Sequence, residues 1–66
     1  MIWLHEGWDV WSARERGLVF RAHPNCHPGR YYLLALDLKG RALFDAKGEL
    51  EDVKAIAQLW LESRAK

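Results

Sequence analysis

The sequence has only one cysteine, Cys26, so no disulfide forms within the chain. A disulfide framework is excluded, and a reducing, cytoplasmic compartment is the expectation. Charge of either sign is also scarce in net terms: ten Lys and Arg meet nine Asp and Glu, for a formal charge of +1. Residues 1–30 carry four arginines against three acids, and residues 49–66 carry three bases against four acids. No segment has a strong field, so charge alone points neither to nucleic acid nor to a membrane. Long apolar runs are missing. Met1 to Leu4 is followed at once by His5 and Glu6, far short of a signal h-region or a spanning helix. No catalytic or cofactor motif, low-complexity stretch or linker is recognisable. No cofactor is expected.

Sixty-six residues make one domain, 1–66. A domain of about 60 residues buries only roughly 60% of the surface of its unfolded chain. Chains of this size often add a metal or a partner subunit. The hydrophobic fraction of 50% excludes disorder and favours self-association.

What the chain has in abundance is tryptophan: Trp3, Trp8, Trp11 and Trp60. Trp belongs in a core or at an interface, and it leads the residues enriched at binding hot spots. Ile2 to Leu4 reads as a short edge strand. Residues 8–12 read as a strand with Trp8 and Val10 on one face and Asp9 and Trp11 on the other. Residues 13–17 read as a turn in which Gly17 takes a positive φ. Residues 18–22 return, with Leu18, Phe20 and Ala22 on one face. His23 to Arg30 holds two prolines and a glycine and reads as a loop. Tyr31 to Leu36 is apolar on both faces, as in a strand covered on both sides. Asp37 to Gly40 is a tight turn, and 41–44 closes a second hairpin. Beyond Gly48, a start near Glu49 opens a helix whose Leu50, Val53, Ala57, Trp60 and Leu61 fall within about 100° of one another. Ile56 lies at the edge of that stripe and Leu59 well off it.

The expected fold is therefore α+β: a small antiparallel sheet of two β-hairpins, four strands or five with 2–4, and one C-terminal helix on a face. The expected core is Trp8, Val10, Leu18, Phe20, Leu34, Leu36, Val53, Ala57 and Trp60, with Leu33 replacing Leu34 if the central register is shifted.

His23, Cys26 and His27 share one loop, with His5 elsewhere. Their spacing is not a zinc-finger pattern, and adjacent Cys26 and His27 reach one ion poorly, so no metal is expected. The same neighbours lack an orienting group and an oxyanion site, and the short chain offers little pocket, so no enzymatic activity is expected. Trp11 falls on the sheet face that one helix leaves bare, with Tyr31 joining it. An aromatic face of that kind implies a partner, unless residues 1–6 fold over it and Trp3 fills it. Trp11, Arg21 and Tyr31 are the expected anchors, with Arg14 and Arg16 at the hairpin tip.

No motif assigns the chain to a family. Two hairpins followed by a helix is similar in size and architecture to the small sheet-plus-helix proteins of bacteriophages and mobile elements, among them inhibitors of host defence and small regulators. The resemblance implies a steric blocker of a host protein. The arm-binding domains of integrases also place a helix after a small sheet, but this chain lacks their basic character. A nucleic-acid module using the same arginines and aromatics is the alternative, and a homodimeric domain is the third reading.

Overall fold

The computed structural model describes residues 1–64. Five strands form one antiparallel sheet in sequence order: β1 (Leu4–His5), β2 (Trp11–Glu15), β3 (Leu18–Pro24), β4 (Arg30–Leu36) and β5 (Ala42–Glu49). Strand β5 runs directly into helix α1 (Leu50–Arg64), which folds back over one face of the sheet.

The turns follow from their residues. Glu15 and Leu18 are cross-strand partners, so Arg16 and Gly17 form a two-residue hairpin. Both have positive φ, 54° and 75°, the signature of a type I′ connection whose twist matches the flanking strands. The β4–β5 turn is closed by a hydrogen bond from the Gly40 N–H to the Asp37 carbonyl, and the Asp37 carboxylate accepts from the Lys39 and Arg41 N–H groups. The Asp37–Gly40 turn therefore forms where its residues place it, whereas the turn expected over 13–17 shrinks to Arg16 and Gly17, because 13–15 belong to β2 and pair with β3. The expected eight-residue loop is shorter: β3 continues through His23 and Pro24, and β4 begins at Arg30. The closing strand likewise continues past Phe44 to Glu49.

Rows of small and large residues alternate across the helix-covered face. Ala13, Phe20, Ala35 and Phe44 form one row, and Trp11, Ala22, Leu33 and Ala46 the next. Trp60 seats in this relief, edge-on to Phe20 at 5.8 Å and stacked on Phe44 at 5.2 Å. Large side chains over small neighbours interdigitate without voids. The buried core is completed by Leu18 and Tyr31 from the sheet and by Val53, Ala57 and Leu61 from the helix. Phe20, at 0% exposure, is the kind of side chain whose burial stabilises by about 2 kcal/mol or more. Glu51 and Asp52 in the first helical turn and Arg64 in the last complement the helix dipole.

Four expected core residues lie elsewhere. Leu34 and Leu36 point to the opposite sheet face, and Leu33 and Ala35 take the core positions. Val10 is only half-buried. Trp8 is 95% exposed, because the segment read as the start of a strand is a turn. Trp3 packs against Phe20, with ring centroids 6.5 Å apart, on the helix side; it does not fold over the other face.

Candidate functional site

Helix α1 covers one face of the sheet; among the described residues nothing packs over the other. That open face is built in two cross-strand rows. Leu4, Ser12, Arg21, Leu34 and Asp45 are successive partners across all five strands. Arg14, Val19 and Leu36 form the neighbouring row. Leu34 and Leu36 are half-buried, whereas Arg14 and Arg21 are exposed. Among the described residues neither arginine has an ion-pair partner. A shallow concavity of about 580 Å³ runs along this face to the hairpin end, with Arg14, Arg16 and Arg21 above Val19, Leu36 and Leu38. Lower on the face, the Tyr32 hydroxyl donates to the Asp45 carboxylate at 2.7 Å, and the Lys47 Nζ sits 5.7 Å from the Tyr32 ring. Donation to Asp45 raises the Tyr32 pKa above its ordinary 10.0.

The β1–β2 connection presents the most exposed aromatic residue. Gly7, Trp8 and Asp9 all have positive φ, at 84°, 50° and 59°. The Val10 N–H donates to the Gly7 carbonyl at 2.9 Å. Two central residues with φ above zero define a type I′ turn, which prefers Asn-Gly at these positions. Asp9 tolerates this conformation, but it costs a tryptophan such as Trp8 about 1–2 kcal/mol. Two contacts fix it. The Glu6 N–H donates to the Val10 carbonyl at 2.8 Å, and the Tyr31 hydroxyl donates to the Asp9 carboxylate. The turn thus holds the Trp8 indole out in solvent on a constrained backbone.

The five residues expected to bind divide between two faces. Arg14 and Arg21 lie on the open face, with Arg16 at its hairpin end. Trp11 and Tyr31 do not join them. Trp11 is cross-strand partner to the buried Ala22 on the helix side, where it stacks on His5 at 4.4 Å beneath the Lys54 Nζ at 4.5 Å. Tyr31 is buried in the core. For Trp11 the reason is the turn at Trp8 and Asp9, which breaks the expected alternation and starts the strand at Trp11; for Tyr31 it is the parity of β4, which turns Tyr31, Leu33 and Ala35 to the helix side. Trp8 is the residue that sequence reasoning missed. Its signal was present, since Gly7 and Asp9 on either side are turn formers.

His23 stands on β3, and Cys26 and His27 are exposed in the loop that follows. Among the described residues no group of three or more His, Cys, Asp or Glu side chains comes together. No described helix is long and apolar enough to cross a membrane. No protein-family model, curated protein sequence or solved structure matches the chain.

Proposed function

We propose that this is a non-enzymatic binding protein that docks on another polypeptide and acts by occupying its surface. The observation that carries this reading is Trp8, a 95% exposed indole held in a left-handed turn conformation that tryptophan disfavours. Strain of this kind persists where the surrounding structure over-determines it, and it clusters at binding sites. Tryptophan is also the residue whose removal most often costs binding energy. The open face adds contact area, with Val19, Leu34 and Leu36 as apolar surface and Arg14 and Arg21 as charged groups able to engage carboxylates bidentately. Steric blocking of the partner requires nothing further from so short a chain.

Affinity capture from lysate, with and without nuclease, tests the reading. A protein that survives nuclease and is lost with the Arg14→Glu/Arg21→Glu double variant is the expected result. Material that vanishes on nuclease treatment contradicts it. The second reading, single-stranded nucleic acid stacked on Tyr32 and held by Arg21, rests on those two residues sharing the open face. Asp45 on the same face opposes it. Salt separates the two, because phosphate contacts lose affinity steeply with ionic strength and an aromatic protein interface does not.

A further inference from the structure

Strand β5 is the last in the sheet, and eight residues of its outer edge, Ala42–Glu49, face no other strand among the described residues. The opposite edge, β1, is only two residues long. A long unpaired edge is a template for another strand, and proteins keep such edges free with charged side chains, lysine above all, with proline or with bulges. The charges of β5 alternate in sign, so they oppose an apolar strand and complement a second copy. Asp45, Lys47 and Glu49 project on the open face, while Phe44, Ala46 and Gly48 project toward the helix.

We propose that β5 pairs antiparallel with β5 of a second copy of this chain, about a two-fold axis through Ala46. This inference is independent of the docking function proposed above. Antiparallel pairing about Ala46 sets each Asp45 opposite Lys47 of the partner subunit, so two opposite-charge pairs form at once. On the helix side, Ala46 meets its own symmetry mate, and Phe44 lies opposite Gly48 of the partner subunit. Pairing about Asp45 or about Lys47 would oppose like charges, and pairing about Gly48 sets Lys47 opposite Glu49 but overlaps residues 47–49 alone, so charge and strand overlap together favour the Ala46 register.

The helices fit the same axis. α1 lies over β4 and β5 and reaches β3, so an edge-to-edge dimer with strands about 4.8 Å apart sets the two helices side by side on one face of a ten-stranded sheet. The helix flank toward the free edge carries Ile56, with Ser63 and Asp52 next to it. Lys54 lies over Trp11 of β2 and Trp60 stacks on Phe44 of β5, so the Trp60 side of α1 looks toward the free edge. At about 100° per residue, Ile56 and Leu59 lie farther round on that side. Leu59, 66% exposed, lies farthest round, on the side turned away from the sheet. Because the axis is perpendicular to the sheet, the two open faces look the same way, and a docking partner meets two copies of the surface.

Sedimentation equilibrium across a concentration series tests this with the wild type, Asp45→Lys, and the Asp45→Lys/Lys47→Asp double variant. The expected wild-type mass is twice 7.7 kDa. Asp45→Lys replaces both attractive pairs by repulsive ones and weakens the dimer about tenfold or more. The double variant restores complementarity in the same register and recovers the wild-type constant. Monomer at every concentration up to about 1 mM overturns the proposal. So does a dimer that ignores the single reversal or is not rescued by the double. Should Asp45→Lys fail to fold by circular dichroism, an isotope-filtered NOE spectrum of mixed labelled and unlabelled wild type decides. Contacts between Asp45 and Lys47 of the partner subunit support the register, and a dimer without them overturns it.

Discussion

The Tyr31 hydroxyl donates to the Asp9 carboxylate across 22 positions of sequence. One end of this bond stands on the interior strand β4; the other sits in the strained turn that displays Trp8. The bond couples the core to the exposed anchor. Its energetic signature is a Tyr31 pKa raised above 10.0, first because the hydroxyl donates to Asp9 and second because the ring is buried. A raised acid constant means that the proton is held more tightly in the folded chain. The bond's contribution is therefore complete below the unfolded value near 10 and is lost as pH rises through the higher folded value.

Tyr31→Phe keeps the buried ring and removes the donor. The expected cost is about 1 kcal/mol, since the bond is charge-assisted but only part-buried. The difference in Tm between wild type and variant should stay constant from neutral pH to about 10 and shrink above it. A difference that grows with alkaline pH would contradict the assignment.

Asp37 closes the β4–β5 turn. Its carboxylate accepts from the Arg41 N–H, the Arg41 Nε and the Lys39 N–H, each at 2.9 Å. The Arg41 backbone bond is the largest cause of a pKa held below the usual 3.8. This contribution is present above that value and is lost as pH falls through the lower folded one. Asp37→Asn should therefore flatten the acid limb of the Tm profile, and amide exchange at Lys39 and Arg41 should quicken. Unchanged exchange at both amides would remove Asp37 from that role.

Trp11 supplies a core-side prediction. Its ring is sandwiched by His5 and Lys54, while its Nε1 is buried without an acceptor among the described residues. An unpaired buried donor costs about 1–3 kcal/mol. Trp11→Phe, which keeps a ring and removes that donor, should change stability by less than about 1 kcal/mol. Trp11→Ala should cost about 3 kcal/mol. Thermal unfolding of the two variants checks the pair, and equal losses would contradict the stacking account.

The fold was legible wherever one signal acted alone. The helical stripe of Val53, Ala57 and Leu61, the face of Leu18, Phe20 and Ala22, and the Asp37–Gly40 turn all follow from period and turn chemistry. Parity in β4 was not legible, because Tyr31, Leu33 and Ala35 are as apolar as Tyr32, Leu34 and Leu36. Cross-strand size decides it: Ala35 beside Phe20 and Leu33 beside Ala22 leave relief for Trp60. Part of the candidate site was also legible. Arg21 stands where its alternation puts it and Arg16 at the hairpin tip, while Arg14, read as part of the turn, stands on β2, Trp8 is exposed and Trp11 lies on the helix side. A tryptophan is a poor residue for a type I′ turn, and local propensity argued against the conformation that the structure adopts.

Trp8→Asn tests the central claim most directly, because Asn tolerates the left-handed backbone that Trp8 strains to hold. Tm and partner retention should be measured on the same preparation. The account predicts an unchanged or higher Tm, by up to about 1 kcal/mol of stability, together with loss of the captured polypeptide. Retention of the partner at wild-type level by this variant would contradict it.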